Sequence, residues 1–266
     1  MGFEYKGSVS IVTGASSGIG AAIARDLAKR GSTVIAAARR RDELDAVVEE
    51  CRRSSPNSRA VLCDIGERDQ TEALVRETIA VEGRIDVLVN NAGIPMRVHA
   101  TRLTPEQVDR VMRINFMGTV WATLAALPSM LERRSGHIVN ISSVAGRIPS
   151  AREAAYTASK HAMAGWSEVL ASDLVGTGVQ VHLVNPGPIR TEIWDKLQER
   201  HAYKGRKLPP ELIADAVRAC LERGTFERWA PRSLAPLQAF NLLAPKTFQR
   251  GLAKFDRRAD RPEKSG

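Results

Sequence analysis

The stretch Glu153-Ala-Ala-Tyr-Thr-Ala-Ser-Lys-His-Ala sets Tyr156 and Lys160 four residues apart in a run of small side chains. On a helix, that spacing stacks the two on one face, a single turn apart. An ammonium beside a phenol favours the phenolate and lowers the tyrosine pKa. Bringing it from about 10 towards neutrality takes roughly three units, or about 4 kcal/mol of differential stabilisation. A phenol tuned in this way serves as a general acid or base. The pair also arises often by chance, so its weight comes from the elements that would position it.

Upstream, Ser8 to Thr13 is a β-branched run ended by Gly14. The loop Gly14-Ala-Ser-Ser-Gly-Ile-Gly20 then opens a helix carrying Ile23 and Leu27 on one face. A glycine-rich turn between strand and helix lets backbone N–H groups and the helix N-terminus meet a phosphate. Thr33 to Ala38 reads as the second strand. At its end, where many dinucleotide folds place a carboxylate for the adenosine ribose, this chain has Ala38 followed by Arg39, Arg40 and Arg41. A missing carboxylate beside arginines favours a 2′-phosphate, hence NADP(H) over NAD(H).

Helix 42–53, strand 59–62 closed by Asp64, helix 67–82 and the run Ile85-Asp-Val-Leu-Val into Asn90-Asn-Ala-Gly93 follow. Thr104-Pro-Glu-Gln107 resembles a capping box with proline at the first helical position, and predicts one long helix through Asn115 towards Leu131. Strand 137–141 ends at Ser142-Ser143, and strand 179–184 leads into Asn185-Pro-Gly-Pro-Ile-Arg-Thr191. Strands alternating with helices at this spacing predict a doubly wound parallel α/β sheet, whose ligands lie at the strands' C-terminal ends.

Together these segments resemble the short-chain dehydrogenase/reductase family. The markers are Thr13-Gly-Ala-Ser-Ser-Gly-Ile-Gly20, Asn90-Asn-Ala-Gly93, Asn115, Ser143, Tyr156-x3-Lys160 and Pro186-Gly187 with Thr191, in the family's order over roughly residues 5 to 195. The resemblance implies a Rossmann-like, doubly wound, seven-stranded parallel sheet with helices on both faces, and dimers or tetramers. It implies that Tyr156 exchanges a proton with the substrate oxygen and that Lys160 lowers its pKa and holds the nicotinamide ribose. Ser143, thirteen positions before the tyrosine, would bond the substrate oxygen, and Asn115 would hold a water in a proton relay behind Lys160. For the cofactor it implies Gly14, Ser16, Ser17, Gly18, Ile19 and Gly20 around the pyrophosphate, with Arg39 and Arg40 near the adenosine. It adds Asp64 and Ile65 at the adenine, Asn91, Ala92 and Gly93 along the pocket, and Pro186, Gly187, Ile189 and Thr191 beyond the sixth strand. Tyr156 and Lys160 would touch the cofactor as well.

The chain departs from the common family pattern after the sixth strand. Residues 1–230 form the expected dinucleotide-binding and catalytic unit, with a substrate lid at 189–208 whose Ile193, Trp194, Leu197 and Tyr203 suggest a bulky apolar or lipid-like ketone or aldehyde. Thr225 to Pro231 is the expected last strand. Residues 231–266 form an apolar and basic extension without a separate domain, interrupted by Pro236 and Pro245. Three readings of it stay open: contact with an anionic membrane surface, a cover over the active-site mouth, or a helical pair against a neighbouring subunit. The net charge of +9 falls largely after residue 195, where 16 Lys and Arg face 8 Asp and Glu.

Cys51, Cys63 and Cys220 lack metal or disulfide spacing, and the histidines lack metal spacing, so no metal is expected. A first strand opening at Ser8 argues against a signal peptide, which points to the cytoplasm, with peripheral membrane contact open. No recognition motif for nucleic acid is present. The expected function is therefore an NADP(H)-dependent oxidoreductase interconverting a carbonyl and an alcohol. The alternative is an NADP(H)-binding redox sensor with little turnover.

Overall fold

The β-branched runs become β1 (Val9–Thr13), β2 (Thr33–Ala38), β3 (Arg59–Leu62), β4 (Val87–Asn90), β5 (Gly136–Ile141), β6 (Val179–Pro186) and β7 (Glu227–Ala230). These elements are those of a computed structural model, which describes residues 2–195, 197–199, 203 and 205–256. Among the described residues the strands form one parallel sheet in the order β3-β2-β1-β4-β5-β6-β7. The order reverses between β1 and β4, which opens a crevice above their C-terminal ends. The helices are α1 (Gly18–Lys29), α2 (Arg41–Arg52), α3 (Arg68–Glu82), α4 (Pro105–Met112), α5 (Gly118–Glu132), α6 (Ala154–Asp173), α7 (Glu211–Arg223), α8 (Pro236–Leu243) and α9 (Pro245–Asp256).

Strand side chains alternate between the two faces. Val12, Val34, Val89 and Val139 pack with Ile23, Leu27, Val47 and Val217 of α1, α2 and α7. Their neighbours Ile11, Ile35, Leu88 and Ile138 pack with Leu74, Ala122, Met130 and Leu170 of α3, α5 and α6. Both faces are covered, which explains why the strands read as apolar runs rather than alternating ones.

The helix expected from 104 to 131 starts as predicted, with Thr104 and Gln107 exchanging both capping-box bonds. It does not run straight through. Arg113–Met117 winds as a π-helical turn between α4 and α5, and Asn115 sits in its middle, fully buried. The wider turn takes up an extra residue, a device common at functional sites.

At the other end of the strands, His137 and His182 stack with ring centroids 5.3 Å apart. His182 Nδ1 lies 2.8 Å from the Thr225 carbonyl and must donate to it, leaving Nε2 to accept from His137 Nδ1 at 3.0 Å. Burial pushes His137 down to about 4, helped by His182, and also lowers His182. The three cysteines are buried and free, and burial raises each thiol.

Beyond β7 the chain turns back as the α8–α9 hairpin. Phe248 of α9 packs with Ile148 and Trp229, so the extension lies against the loop after β5 and against β7.

Candidate active site

The glycine loop sits over the C-terminal end of β1 because its backbone is pinned there. Gly14 has φ +66°, and a Cβ on it would fall 2.8 Å from Ala92 Cα. A Cβ on Gly20 would fall 2.3 Å from the Gly14 carbonyl oxygen. Only glycine permits so tight a cradle, in which the N-terminus of α1 faces the cleft. Asn91 fastens the loop from the side: its Nδ2 donates to Thr13 O at 2.9 Å, while Thr13 Oγ1 accepts from Asn91 N and Ala92 N.

A cleft of about 450 Å³ runs along this loop, walled by Gly14, Ser17 to Gly20, Asn91 to Gly93, Lys160 and Thr191. A smaller adjoining recess of about 180 Å³ holds Ser16, Arg39, Arg40, Asp64 and Ile65. Here the two arginines behave differently. Arg39 pairs with Asp64 at 3.3 Å, whereas Arg40 reaches Ser17 Oγ at 2.6 Å, Ser16 Oγ at 3.2 Å and Glu192 Oε2 at 2.8 Å. One guanidinium and two hydroxyls thus converge at the end of β2. A larger cavity, about 810 Å³, lies at the opposite end of the strands against Phe3, Asp86 and His137, away from the end where such sheets bind ligands.

Tyr156 and Lys160 stand one turn apart on α6, as the spacing predicts. The expected lowering of the tyrosine pKa is outweighed. Lys160 is buried at 3% exposure, and its Nζ donates to the Ile141 carbonyl at the end of β5 at 2.9 Å, lying 5.9 Å from the Tyr156 ring centroid. Burial therefore dominates both groups. It pushes Tyr156 up to about 12, opposed by a hydrogen bond with Ser143, and draws Lys160 down to about 8.

The two serines after β5 divide their work. Ser142 Oγ donates to the Lys160 carbonyl at 3.2 Å, whereas Ser143 faces the pocket beside Tyr156. Asn115 is occupied at both ends of its amide: Oδ1 accepts from Ile94 N at 2.8 Å, and Nδ2 donates to Ile94 O at 3.0 Å and Ser159 Oγ at 3.1 Å. Its side chain clamps the loop after β4.

On the other side of Tyr156 lies an apolar pocket of about 360 Å³. Pro186, Gly187 and Ile189, expected at the cofactor, open on this pocket; Thr191 borders both spaces. Gly187 N donates to the Ala230 carbonyl, which ties the start of the loop after β6 to β7, while Thr191 further along packs against Gly18 of the glycine loop. Ile193, Trp194, Leu197 and Tyr203 of the lid line the pocket, as do Leu234, Leu237, Phe248 and Leu252 of the C-terminal extension. Trp194 stacks on Tyr203 at 6.2 Å, with Lys207 Nζ 4.2 Å from the indole centroid. Lid residues Lys196, Arg200, His201, Ala202 and Lys204, and extension residues 257–266, lie outside the described residues.

Two sets of interactions lie outside the expected site residues. Under the site, Asn90 Nδ2 donates to Asn140 Oδ1 at 2.9 Å, and Asn140 Nδ2 to Ser167 Oγ at 2.8 Å, which locks α6 to β4 and β5. Over the pocket, Asp256 at the end of α9 bonds Arg97, buried at 2% exposure, and accepts from Arg152 Nε at 2.6 Å. Arg97 N also donates to lid residue Gln198, and Arg152 pairs with lid residue Glu199 at 3.2 Å. This ionic latch joins the loop after β4, the approach to α6, the lid and the extension. Isolated arginines and a lone aspartate give no periodic signal that would reveal it.

The sequence profile of the short chain dehydrogenase family matches residues 8–202. The chain is 36% identical over 221 residues to the 3-oxoacyl-acyl-carrier-protein reductase FabG of Thermotoga maritima, covering 80% of this chain and 90% of that protein. It is 34% identical over 235 residues to a dehydrogenase/reductase SDR family protein 7-like of Drosophila melanogaster, covering 83% and 71%. A metagenomic short-chain oxidoreductase solved with NADP superposes with a TM-score of 0.73 at 34% identity, over 84% of this chain and 96% of that one. A short chain dehydrogenase/reductase of Burkholderia phymatum solved with NAD gives 0.85 at 24% identity, over 92% and 96%, a likeness of fold. The chain therefore belongs to the short-chain dehydrogenase/reductase family and is an oxidoreductase acting on carbonyl and alcohol groups.

Proposed function

We propose that the enzyme uses NADP(H) to interconvert a bulky apolar ketone or aldehyde and its alcohol, with Tyr156 as the proton donor or acceptor. The observation that carries this reading is the position of Tyr156, which walls both the polar cleft and the apolar pocket. A carbonyl held in the pocket would present its oxygen where a nicotinamide in the cleft ends. The glycine cradle fits a pyrophosphate, and the convergence of Arg40, Ser16 and Ser17 suits a 2′-phosphate, whose oxygens would replace the Glu192 carboxylate as acceptors. NADPH supplies the hydride when bound.

The chain's own groups then do the following. The Tyr156 phenol, with its pKa near 12, stays protonated at neutral pH, as a donor to a carbonyl oxygen must. Ser143 bonds the same oxygen and stabilises the negative charge that develops on it. Lys160 holds the ribose hydroxyls beside the cleft, and Asn115 positions the Gly93–Ile94 backbone against it. The apolar lining of the pocket selects for carbonyls with extended hydrocarbon. Leu124 and Val169, 51% and 61% exposed on α5 and α6, support a homo-oligomer through those helices.

The decisive experiment follows NADPH and NADH absorbance against carbonyls of increasing chain length, with Tyr156→Phe in parallel. Faster NADPH turnover on long apolar carbonyls, lost in the variant, supports the reading. Undiminished turnover in Tyr156→Phe sinks it.

A further inference from the structure

The face of the α8–α9 hairpin that turns away from the pocket joins exposed apolar side chains to a row of cations. Leu242 and Leu243, at the corner between the two helices, are 71% and 86% exposed, and Phe240 beside them is 46% exposed. Immediately after the corner, Lys246, Arg250 and Lys254 recur every four residues along α9 and are all exposed. At 100° per residue they form one stripe, roughly opposite Phe248 and Leu252, which face the pocket. No acidic residue occurs between Glu227 and Asp256, and Asp256 is buried in the latch with Arg97 and Arg152. None of the three cations pairs with a carboxylate among the described residues. An apolar tip followed by an uncompensated cationic stripe matches in charge and polarity one kind of surface, anionic headgroups over acyl chains.

We propose that the α8–α9 hairpin docks on an anionic phospholipid bilayer, with Leu242 and Leu243 entering the acyl region and Lys246, Arg250 and Lys254 meeting the headgroups. Resting on the substrate reading above, the same face is the entry port for an apolar carbonyl. Leu237 lines the pocket and is also 41% exposed, and the Phe240 ring contacts that of pocket residue Phe248 at 5.8 Å. An unbroken apolar track therefore joins the exposed tip to the pocket. The latch holds the far end of α9 in place while the tip is left free to touch lipid.

The test sediments the full chain with vesicles of phosphatidylcholine alone or mixed with phosphatidylglycerol. Binding to the mixed vesicles only, weakened by salt, is expected. The variants Leu242→Ser/Leu243→Ser and Lys246→Glu/Lys254→Glu should each weaken it about tenfold, with thermal midpoint and NADPH affinity unchanged. Protein left in the supernatant with mixed vesicles, or variants that sediment like the parent chain, would overturn the docking surface. So would a fall in particle mass of the leucine variant without vesicles, which would assign the face to a second copy of this chain. Sedimentation needs no turnover, so its failure is separable from failure of the reductase reading. For the entry port, both variants should slow reduction of a long-chain ketone dissolved in the vesicles while leaving a short soluble carbonyl untouched; equal loss on both refutes it.

Discussion

The cleft and the pocket meet along Ile19, Met96, Tyr156, Thr191 and Ile193, yet they are built in different ways. The cleft takes its walls from loops that each follow a strand of the central sheet, and backbone atoms do much of the work: the Gly14–Gly20 cradle, the Asn91 bonds to β1, the end of β5 under Lys160. The pocket gathers apolar side chains from the loops after β4, β5 and β6, from the lid and from the last two helices, and a buried ionic latch holds the outermost pieces together. A backbone-built site tolerates little change and serves one cofactor. A side-chain-built site can be reshaped without disturbing the sheet, which is how one fold comes to serve many substrates.

The sharpest division between the two halves lies at Tyr156. Tyr156→Phe should lower kcat by about 10²- to 10⁴-fold, the range of a lost general acid, with NADPH affinity measured by fluorescence nearly unchanged. A comparable loss of cofactor affinity would mean that the two halves are not separable at this residue.

Breaking the latch tests the pocket side alone. Arg97→Met leaves the buried Asp256 carboxylate to Arg152 and should cost about 3 kcal/mol of stability in denaturant titration. KM for a long carbonyl should rise while KM for the cofactor holds. If only the cofactor constant moves, the latch serves the cleft and the contrast collapses.

The histidine pair at the opposite end of the strands separates sheet stability from both sites. His137 and His182 are held neutral in the fold, with pKa values below the unfolded 6.5. The unfolded chain therefore binds more protons in acid, and stability present above pH 6.5 declines as pH falls towards 4. The loss from His137 is on the order of 3 kcal/mol. His137→Gln should flatten that decline in a thermal-shift series between pH 4 and 7; an unchanged slope assigns acid sensitivity elsewhere.

The smallest effect concerns cofactor choice. Arg40→Ala should raise KM for NADPH about 10- to 100-fold, the value of one or two charge-assisted hydrogen bonds, and leave NADH almost unaffected. Equal loss for both cofactors would return Arg40 to the role of a surface partner for Glu43 and Glu192.

Why one half was readable and the other not follows from these same residues. The alternation of strand and helix and the placement of Ser143, Tyr156 and Lys160 rest on local spacing, which a single chain displays directly. The protonation of Tyr156 does not. Spacing puts Lys160 on the right face, but the Ile141 carbonyl that draws its ammonium away is nineteen residues distant, and burial then outweighs the charge. The π-helical turn at Asn115 likewise leaves no mark, because its sequence is helical throughout. Gly187, just after β6, is tied to the Ala230 carbonyl of the neighbouring strand, a bond that no local spacing displays. Most remote of all, Arg97 meets Asp256 across 159 residues, a separation at which neither residue carries any local hint of the other.

That separation has a consequence for how the enzyme comes into being. A domain folds as a unit, but one made from its N-terminus emerges with its early parts first. The lining of the cleft ends at residue 198, whereas the pocket needs Phe248, Leu252 and the carboxylate of Asp256. The nascent protein thus presents the lining of its cleft before the roof of its pocket. A protease cut at the exposed α8–α9 corner would return it to that earlier condition: able to hold the nucleotide, with no roof under which to use it.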